Sequence, residues 1–314
     1  MALVGSGSSL AGSFLAVWRK EFNRQHPAIL VGYVLTSSSD GIQQVGMLHE
    51  DFAVGEVPLT DKQKNNAILR LAQIPIAVFS IVPVYNLPGR SELSFTGELL
   101  AQMYMGHISN WNDERIAKLN PGVLLPDLPI TLVQRPAGTG SRYVFTEFLA
   151  KTSPEFCRWT KSTRHDVSSE VEEELSQRMA DKVISTPGAI GFLSWSFAVQ
   201  SGLPYGRVQN SSGKFVKASL ASISAASTAM QELVFANSPG PLLDPAGENS
   251  YPLTSFAWAY LPVTGMASER TNNLYEFLNW CLGEGQSLIA GHGYDPLPKP
   301  VATRAQAKLQ AILR

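Results

Sequence analysis

Cysteine is nearly missing from this chain: only Cys157 and Cys281 occur, far apart in sequence. A disulfide-stapled scaffold is excluded, and the two do not make a metal motif. Whether they pair stays open, because a bridge needs spatial proximity and two buried thiols fit as well. Charge is also scarce. Only 16% of residues are charged and the net charge is −1, so no broad positive field exists for nucleic acid or an acidic membrane. Any bound anion must be held by local donors. No uninterrupted apolar stretch approaches the ~18–20 residues needed to cross a bilayer. Met1-Ala-Leu-Val lacks a basic region ahead of an apolar core, so no signal peptide is expected in this chain. There is no His-Glu-x-x-His motif and no carboxylate cluster of metal-ligand type, so no metal or other cofactor is expected. His26, His49, His107, His165 and His292 each lack a neighbouring Ser or Cys nucleophile in sequence and read as surface or capping residues. Internal repeats and low-complexity tracts are absent too.

What is present suits a globular protein of one large or two ordinary domains: 314 residues, 44% hydrophobic. The chain is organised around Arg135-Pro-Ala-Gly-Thr-Gly-Ser141. The apolar run 128–133 leads in as a buried strand, and a helical pattern over 142–150 leads out. Gly138 and Gly140 let backbone N–H groups approach a ligand without a Cβ in the way. Thr139 and Ser141 add hydroxyls, and Arg135 adds a planar cation that fits an oxyanion. A helix start with these additions suits a small anion; a capped turn with an exposed Arg is the plainer alternative.

Two further loops share this character. Gly5-Ser-Gly-Ser-Ser-Leu10 precedes a helix from about Ala11 to Phe22. Thr36-Ser-Ser-Ser-Asp-Gly41 follows a strand over 28–35 and leads into a short helix at 42–48. Glu56 follows a short strand, and alone it reads as a solvated turn carboxylate. Thr60 is expected to cap a helix over 61–72. Three donor-rich turns without a competing catalytic motif suggest convergence on one ligand.

The stretches 74–85 and 251–263 are long, apolar and marked by proline. Each suits a strand that leaves one sheet and enters another. The expected fold class is α/β, with two lobes, two crossing strands and an interlobe ligand cleft. Lobe 1 would be discontinuous, 1–78 plus 260–314, and lobe 2 would hold 79–259. Ligands favour strand carboxyl ends and domain junctions, and such a cleft closes by a hinge. Other expected elements include a helix over 168–183 with an early Glu run, a helix over 218–236, and helices over 268–282, 285–292 and 301–314.

These segments resemble the substrate-binding proteins of phosphate ABC transporters, which have the type II periplasmic-binding-protein fold. The resemblance rests on Gly5 to Leu10, Ser37-Ser-Ser-Asp-Gly41, Pro58-Leu-Thr-Asp61, Tyr85-Asn-Leu-Pro-Gly89 and Gly106-His-Ile-Ser-Asn-Trp-Asn-Asp113. It continues through Leu119-Asn-Pro-Gly122, Arg135 to Ser141, Gly188-Ala-Ile-Gly191, Tyr205 to Lys214 and Gly293-Tyr-Asp-Pro-Leu-Pro298. The resemblance implies that Ser9, the Leu10 N–H, Ser38, Arg135, Thr139, the Gly140 N–H and Ser141 donate to phosphate. Glu56 stands where the family uses an Asp that accepts the proton of phosphate and repels fully ionised sulfate.

Ala137 replaces a second Asp that usually accompanies the Arg, so a less constrained Arg135 and a more positive site are expected. The implied function is a non-catalytic receptor outside the cytoplasmic membrane, with an ABC permease as partner; the low net charge and the lack of an apolar stripe suggest a monomer. Two alternatives stand beside it. One is a sensory or adhesive domain that has lost the ligand. The other is a phosphatase-like hydrolase using Ser8 or Ser9. Asn210-Ser-Ser212 is a glycosylation sequon, relevant only in a eukaryotic secretory route.

Overall fold

The computed structural model describes residues 2–65, 69–90, 92–163, 171–172, 175–236, 242–290 and 294–314. Three strand-to-helix steps begin it. Strand β1 (Ala2–Ser8) leads to helix α1 (Gly12–Gln25), β2 (Leu30–Thr36) to α2 (Ser38–Gly46), and β3 (Phe52–Gly55) through Glu56 to the short α3 (Asp61–Lys64). The long β4 (Leu71–Tyr85) opens the middle of the chain, followed by β5 (Ser94–Phe95), α4 (Gly97–Tyr104) and α5 (Glu114–Leu119). Then come β6 (Thr131–Gln134), α6 (Gly140–Thr152), α7 (Pro154–Thr163), β7 (Val171–Glu172), α8 (Ser176–Ser185), β8 (Ala189–Ser194) and α9 (Trp195–Gln200). A small hairpin, β9 (Arg207–Gln209) and β10 (Phe215–Val216), precedes α10 (Leu220–Ala229). The last part holds β11 (Thr254–Pro262), α11 (Ser268–Leu282), α12 (Gln286–Ile289) and α13 (Lys299–Leu313).

Eight of these strands hydrogen-bond in the order β2-β1-β3-β11-β4-β8-β6-β7. β1, β2 and β3 are mutually parallel, as are β6, β7 and β8. The two parallel groups are joined through β4, which changes partner along its length. Residues Leu71 to Ser80 pair antiparallel with β11, and Ile81 to Tyr85 pair antiparallel with β8. Its prolines do not break it. Where Pro75 enters, the register with β11 shifts between Ala257 and Trp258, and this irregularity accommodates a residue without an N–H.

Helices pack on the sheet and on one another through their apolar stripes. α1 buries Phe14, Leu15, Trp18 and Phe22, and Phe22 meets Phe277 of α11 edge-on at 5.1 Å. In the middle of the chain, Phe145 of α6 stacks on Phe192 of β8 at 4.4 Å. Trp111 is fully buried and donates its Nε1–H to the Gly188 carbonyl at 2.9 Å, so it packs as a core residue.

Several expected elements differ in extent. Residues 38–41 are not loop: Ser37 caps α2 and Ser38 is its first residue, because the Ser37 hydroxyl accepts from the Asp40 N–H. α3 ends at Lys64, and residues 66–68 of the helix expected there lie outside the described residues. The helix expected from 168 begins at Ser176. Residues 168–170 and 173–174, with most of the Glu run, lie outside the described residues. The stretch 218–236 splits into α10 and a separate turn of 3₁₀-helix, Leu233–Phe235. Helix α7 was not expected, although its start is legible: Pro154 is its first residue and the Ser153 hydroxyl accepts from the Phe156 N–H at 3.2 Å. The helix expected over 285–292 is α12; residues 291–293, with His292, lie outside the described residues, as does His165.

Both cysteines are free thiols, with Cys281 buried and Cys157 partly so. The Asn210 side chain is buried and donates to the carbonyls of Gly247, Glu248 and Ser250, so the sequon is engaged inside the fold. Among the described residues no helix is long and apolar enough to cross a membrane.

Candidate functional site

Four turns at the carboxyl ends of parallel strands carry the predicted site residues. Ser9 and Leu10 follow β1, Ser38 opens α2 after β2, Glu56 follows β3, and Arg135 to Ser141 join β6 to α6. The sheet order brings turns up to about 130 positions apart in sequence to one place. The Ser39 N–H donates to the Gly138 carbonyl at 3.3 Å, so the second and fourth turns touch through backbone. Gly138 takes φ +86°, a conformation L side chains rarely adopt.

Arg135 is the centre of positive charge. It is 3% exposed. Its Nη2 donates to the Ser9 hydroxyl at 3.1 Å and its Nη1 to the Ser176 hydroxyl at 2.9 Å. Removing a guanidinium from water costs several kcal/mol unless its N–H groups are satisfied. Ala137 supplies no side-chain acceptor, and Ser9 and Ser176 are among the groups that orient this Arg. A second buried guanidinium, Arg142 on the first turn of α6, donates to the Arg135 carbonyl at 2.6 Å and fixes the backbone of the turn.

Glu56 is 1% exposed, not a solvated turn carboxylate. Its Oε2 accepts from the Ser38 hydroxyl at 2.9 Å, and its own N–H donates to the same hydroxyl oxygen at 3.3 Å. Oε1 is buried without a hydrogen-bond partner among the described residues. Burial pushes the carboxyl up to about 7, and the Ser8 and Ser38 hydroxyls and the Arg135 cation offset only part of that. Near neutral pH this group can either accept a proton in a hydrogen bond or donate one. Gly140 packs directly on the carboxylate.

The remaining predicted residues fall in the same place. Leu10 is buried, and its N–H donates to the Ser8 hydroxyl at 3.1 Å. Thr139 is buried and its hydroxyl donates to the Pro136 carbonyl at 2.8 Å. Gly140 and Ser141 open α6, both buried. Beside this cluster lies a cleft of about 390 Å³, lined by residues that include Thr36, Ser37, Asp40, Pro136, Ala137 and Leu175.

Sequence reasoning missed three participants. Ser176 opens α8, and nothing local marks it as a partner of Arg135. Ser8 belongs to the donor-rich first turn, but its place beside Leu10 and Glu56 is not legible there. Tyr294 lies behind the first turn, where its hydroxyl donates to the Leu10 carbonyl. Of the histidines, His26 pairs with Glu276 at 2.7 Å, His107 faces Glu155 at 3.8 Å, and His49 contacts Gln44, all away from the cluster.

Residues 2–284 match the family model described as the PBP superfamily domain. The chain is 30% identical over 312 residues to a phosphate-binding protein PstS of Pasteurella multocida, covering 98% of this chain and 89% of that one. It is 29% identical over 311 residues to a phosphate-binding protein PstS of Xylella fastidiosa, covering 96% and 83%. Among solved structures it resembles a high-affinity periplasmic phosphate-binding protein bound with phosphate, with a TM-score of 0.75 at 17% identity, covering 98% and 93%.

Proposed function

Since this chain belongs to the PBP superfamily and, within it, to the family of the phosphate-binding proteins PstS, we propose that it binds inorganic phosphate between two lobes as a receptor for uptake or sensing. The observation that carries the reading is the bond from Arg135 to Ser9, residues from opposite halves of the fold that meet on one buried cation. A buried guanidinium that reaches hydroxyls after two different parallel strand groups favours a buried oxyanion. Ser9, the Leu10 N–H, Ser38, Thr139, the Gly140 N–H and Ser141 would supply the donors. Lobe 1 would be 1–78 plus 260–314, and lobe 2 would be 79–259, with β4 as the hinge strand.

Glu56 would recognise the protonated oxygen of phosphate. As a carboxylate it accepts that proton; facing sulfate, it places acceptor against acceptor. This role needs no bond of the ligand to break, and it is the role of a receptor, in line with relatives named as phosphate-binding proteins. An extracytoplasmic setting and an ABC permease partner follow from the same reading.

Titration calorimetry with phosphate and sulfate, on wild type and Glu56→Gln, tests it. Tight phosphate binding, with sulfate much weaker in the wild type and the margin narrowed in the variant, is the expected result. Equal affinity for both anions in the wild type refutes the role of Glu56. Failure of millimolar phosphate to raise the melting temperature refutes phosphate binding itself, since a ligand stabilises the state that binds it.

A further inference from the structure

Three segments that hold candidate anion residues also wall the neighbouring cleft. In the turn after β2, Ser38 is fully buried and bonds Glu56, while Ser37, Ser39 and Asp40 line the cleft. In the turn after β6, Arg135 is buried, and Pro136 and Ala137 line the cleft. At the start of α8, Ser176 accepts from Arg135, and Leu175 just before it lines the cleft. Thr139 belongs to both: it is a buried candidate donor and part of the cleft wall. The bond from the Ser39 N–H to the Gly138 carbonyl, 3.3 Å, ties two of these segments together. The cleft is the outward continuation of the anion site.

Its size and chemistry suit more than a bare ion. The volume of about 390 Å³ falls within the range of about 300–1,000 Å³ usual for small organic ligands. Among the described residues that line it there is no Lys, Arg or His. The charge it carries is the exposed Asp40 carboxylate, which accepts from the Ser37 hydroxyl at 2.8 Å. A second anionic group would meet an acceptor and no cation there. An uncharged group with hydroxyls finds Asp40, Ser37 and Ser39 to bond, while Pro136, Ala137 and Leu175 give its carbon frame an apolar wall. Ala137 is exposed, and its methyl group takes up little of the space.

We propose that the site takes phosphomonoesters of small hydroxylated alcohols as well as inorganic phosphate, with the phosphoryl group at Arg135 and the alcohol leaving past Thr139 into the cleft. This rests on the reading that these turns hold phosphate. A monoester keeps three free phosphoryl oxygens for Arg135 and the hydroxyl and N–H donors. Where the ester is fully ionised, Glu56, pushed up to about 7 by burial, can bring the shared proton itself. Ala137 then sets how much room the alcohol has, and Asp40 sets which substituents are turned away.

Titration calorimetry of the full chain with inorganic phosphate, glycerol 3-phosphate and pyrophosphate decides it. Glycerol 3-phosphate should bind within about 100-fold of phosphate, and pyrophosphate more weakly than glycerol 3-phosphate. Ala137→Leu fills the cleft from an exposed position. It should weaken glycerol 3-phosphate about tenfold and leave phosphate binding as in wild type, which also reports that the variant is folded. A wild type that binds phosphate but holds glycerol 3-phosphate more than about 100-fold more weakly overturns the proposal and leaves the phosphate reading standing. Pyrophosphate binding as tightly as glycerol 3-phosphate overturns the role of Asp40. An Ala137→Leu variant that loses both ligands equally, or neither, overturns the placing of the alcohol in the cleft. If the wild type binds none of the three, the phosphate reading fails and the proposal with it.

Discussion

A methyl group at Gly140 would fall 1.6 Å from Oε2 of Glu56. The first residue of a helix from the middle of the chain and a carboxylate from its beginning thus sit in direct contact. Gly140→Ala separates local from tertiary control. Helix propensity favours Ala over Gly by about 1 kcal/mol, whereas overpacking costs about 1–3 kcal/mol. The contact is expected to win. Phosphate affinity should drop about 10- to 100-fold by calorimetry, because the carboxyl or the α6 turn has to move.

Glu56 makes stability depend on pH with a definite sign. The unfolded carboxyl titrates near its ordinary 4.5 and the folded one at about 7. Between those values the folded state holds more protons, so stability is full below about 4.5 and declines as pH rises toward 7. Asp295, also pushed up by burial, to about 6, acts in the same direction. Comparing wild type with Glu56→Gln cancels that contribution. In denaturant titrations the variant should gain on wild type from pH 4.5 to 7, by about 3 kcal/mol, and hold that gain above.

Ser176→Ala should weaken phosphate binding about 10-fold while the protein stays folded. It removes the acceptor 2.9 Å from Nη1 of a buried Arg135, and hydrogen bonds to charged groups are worth about 1.5–3 kcal/mol. Arg135→Lys should cost more, since an ammonium cannot reach Ser9 and Ser176 with one planar fork. Fluorescence or calorimetric titration of both variants checks the order.

A different pair should affect stability alone. Asp51, almost fully buried, accepts two bonds of 2.6 Å from the Arg270 guanidinium and one of 2.8 Å from the Val4 N–H. It locks β1, β3 and α11 together on the side of the sheet away from the anion turns. Arg270 is partly exposed, which moderates the loss. Asp51→Ala should destabilise by about 2 kcal/mol and leave phosphate affinity intact at temperatures where the chain is folded.

Local chemistry was readable along the chain. A capping residue such as Thr60 marks a helix start, and the apolar runs mark β4 and β11. The glycine-rich turn before α6, the α/β class and the candidate anion residues followed from patterns a few residues long. Such features depend on neighbours in sequence, and neighbours in sequence are what a sequence displays.

The state of those residues was a different matter. Glu56 read as a solvated carboxylate, yet its burial is created by α2, α6 and β11 packing over it, and that packing sets its proton affinity. Ser176 has no local mark at all, and the stretch that holds Tyr294 carries the family resemblance without showing what Tyr294 touches. Their roles exist only because the sheet order places them beside Arg135 and Leu10, 41 and 284 positions away. Composition and spacing determined which groups could hold an anion. Desolvation and long-range contact, which are properties of the folded whole, decided which of them carry charge and what holds them in place.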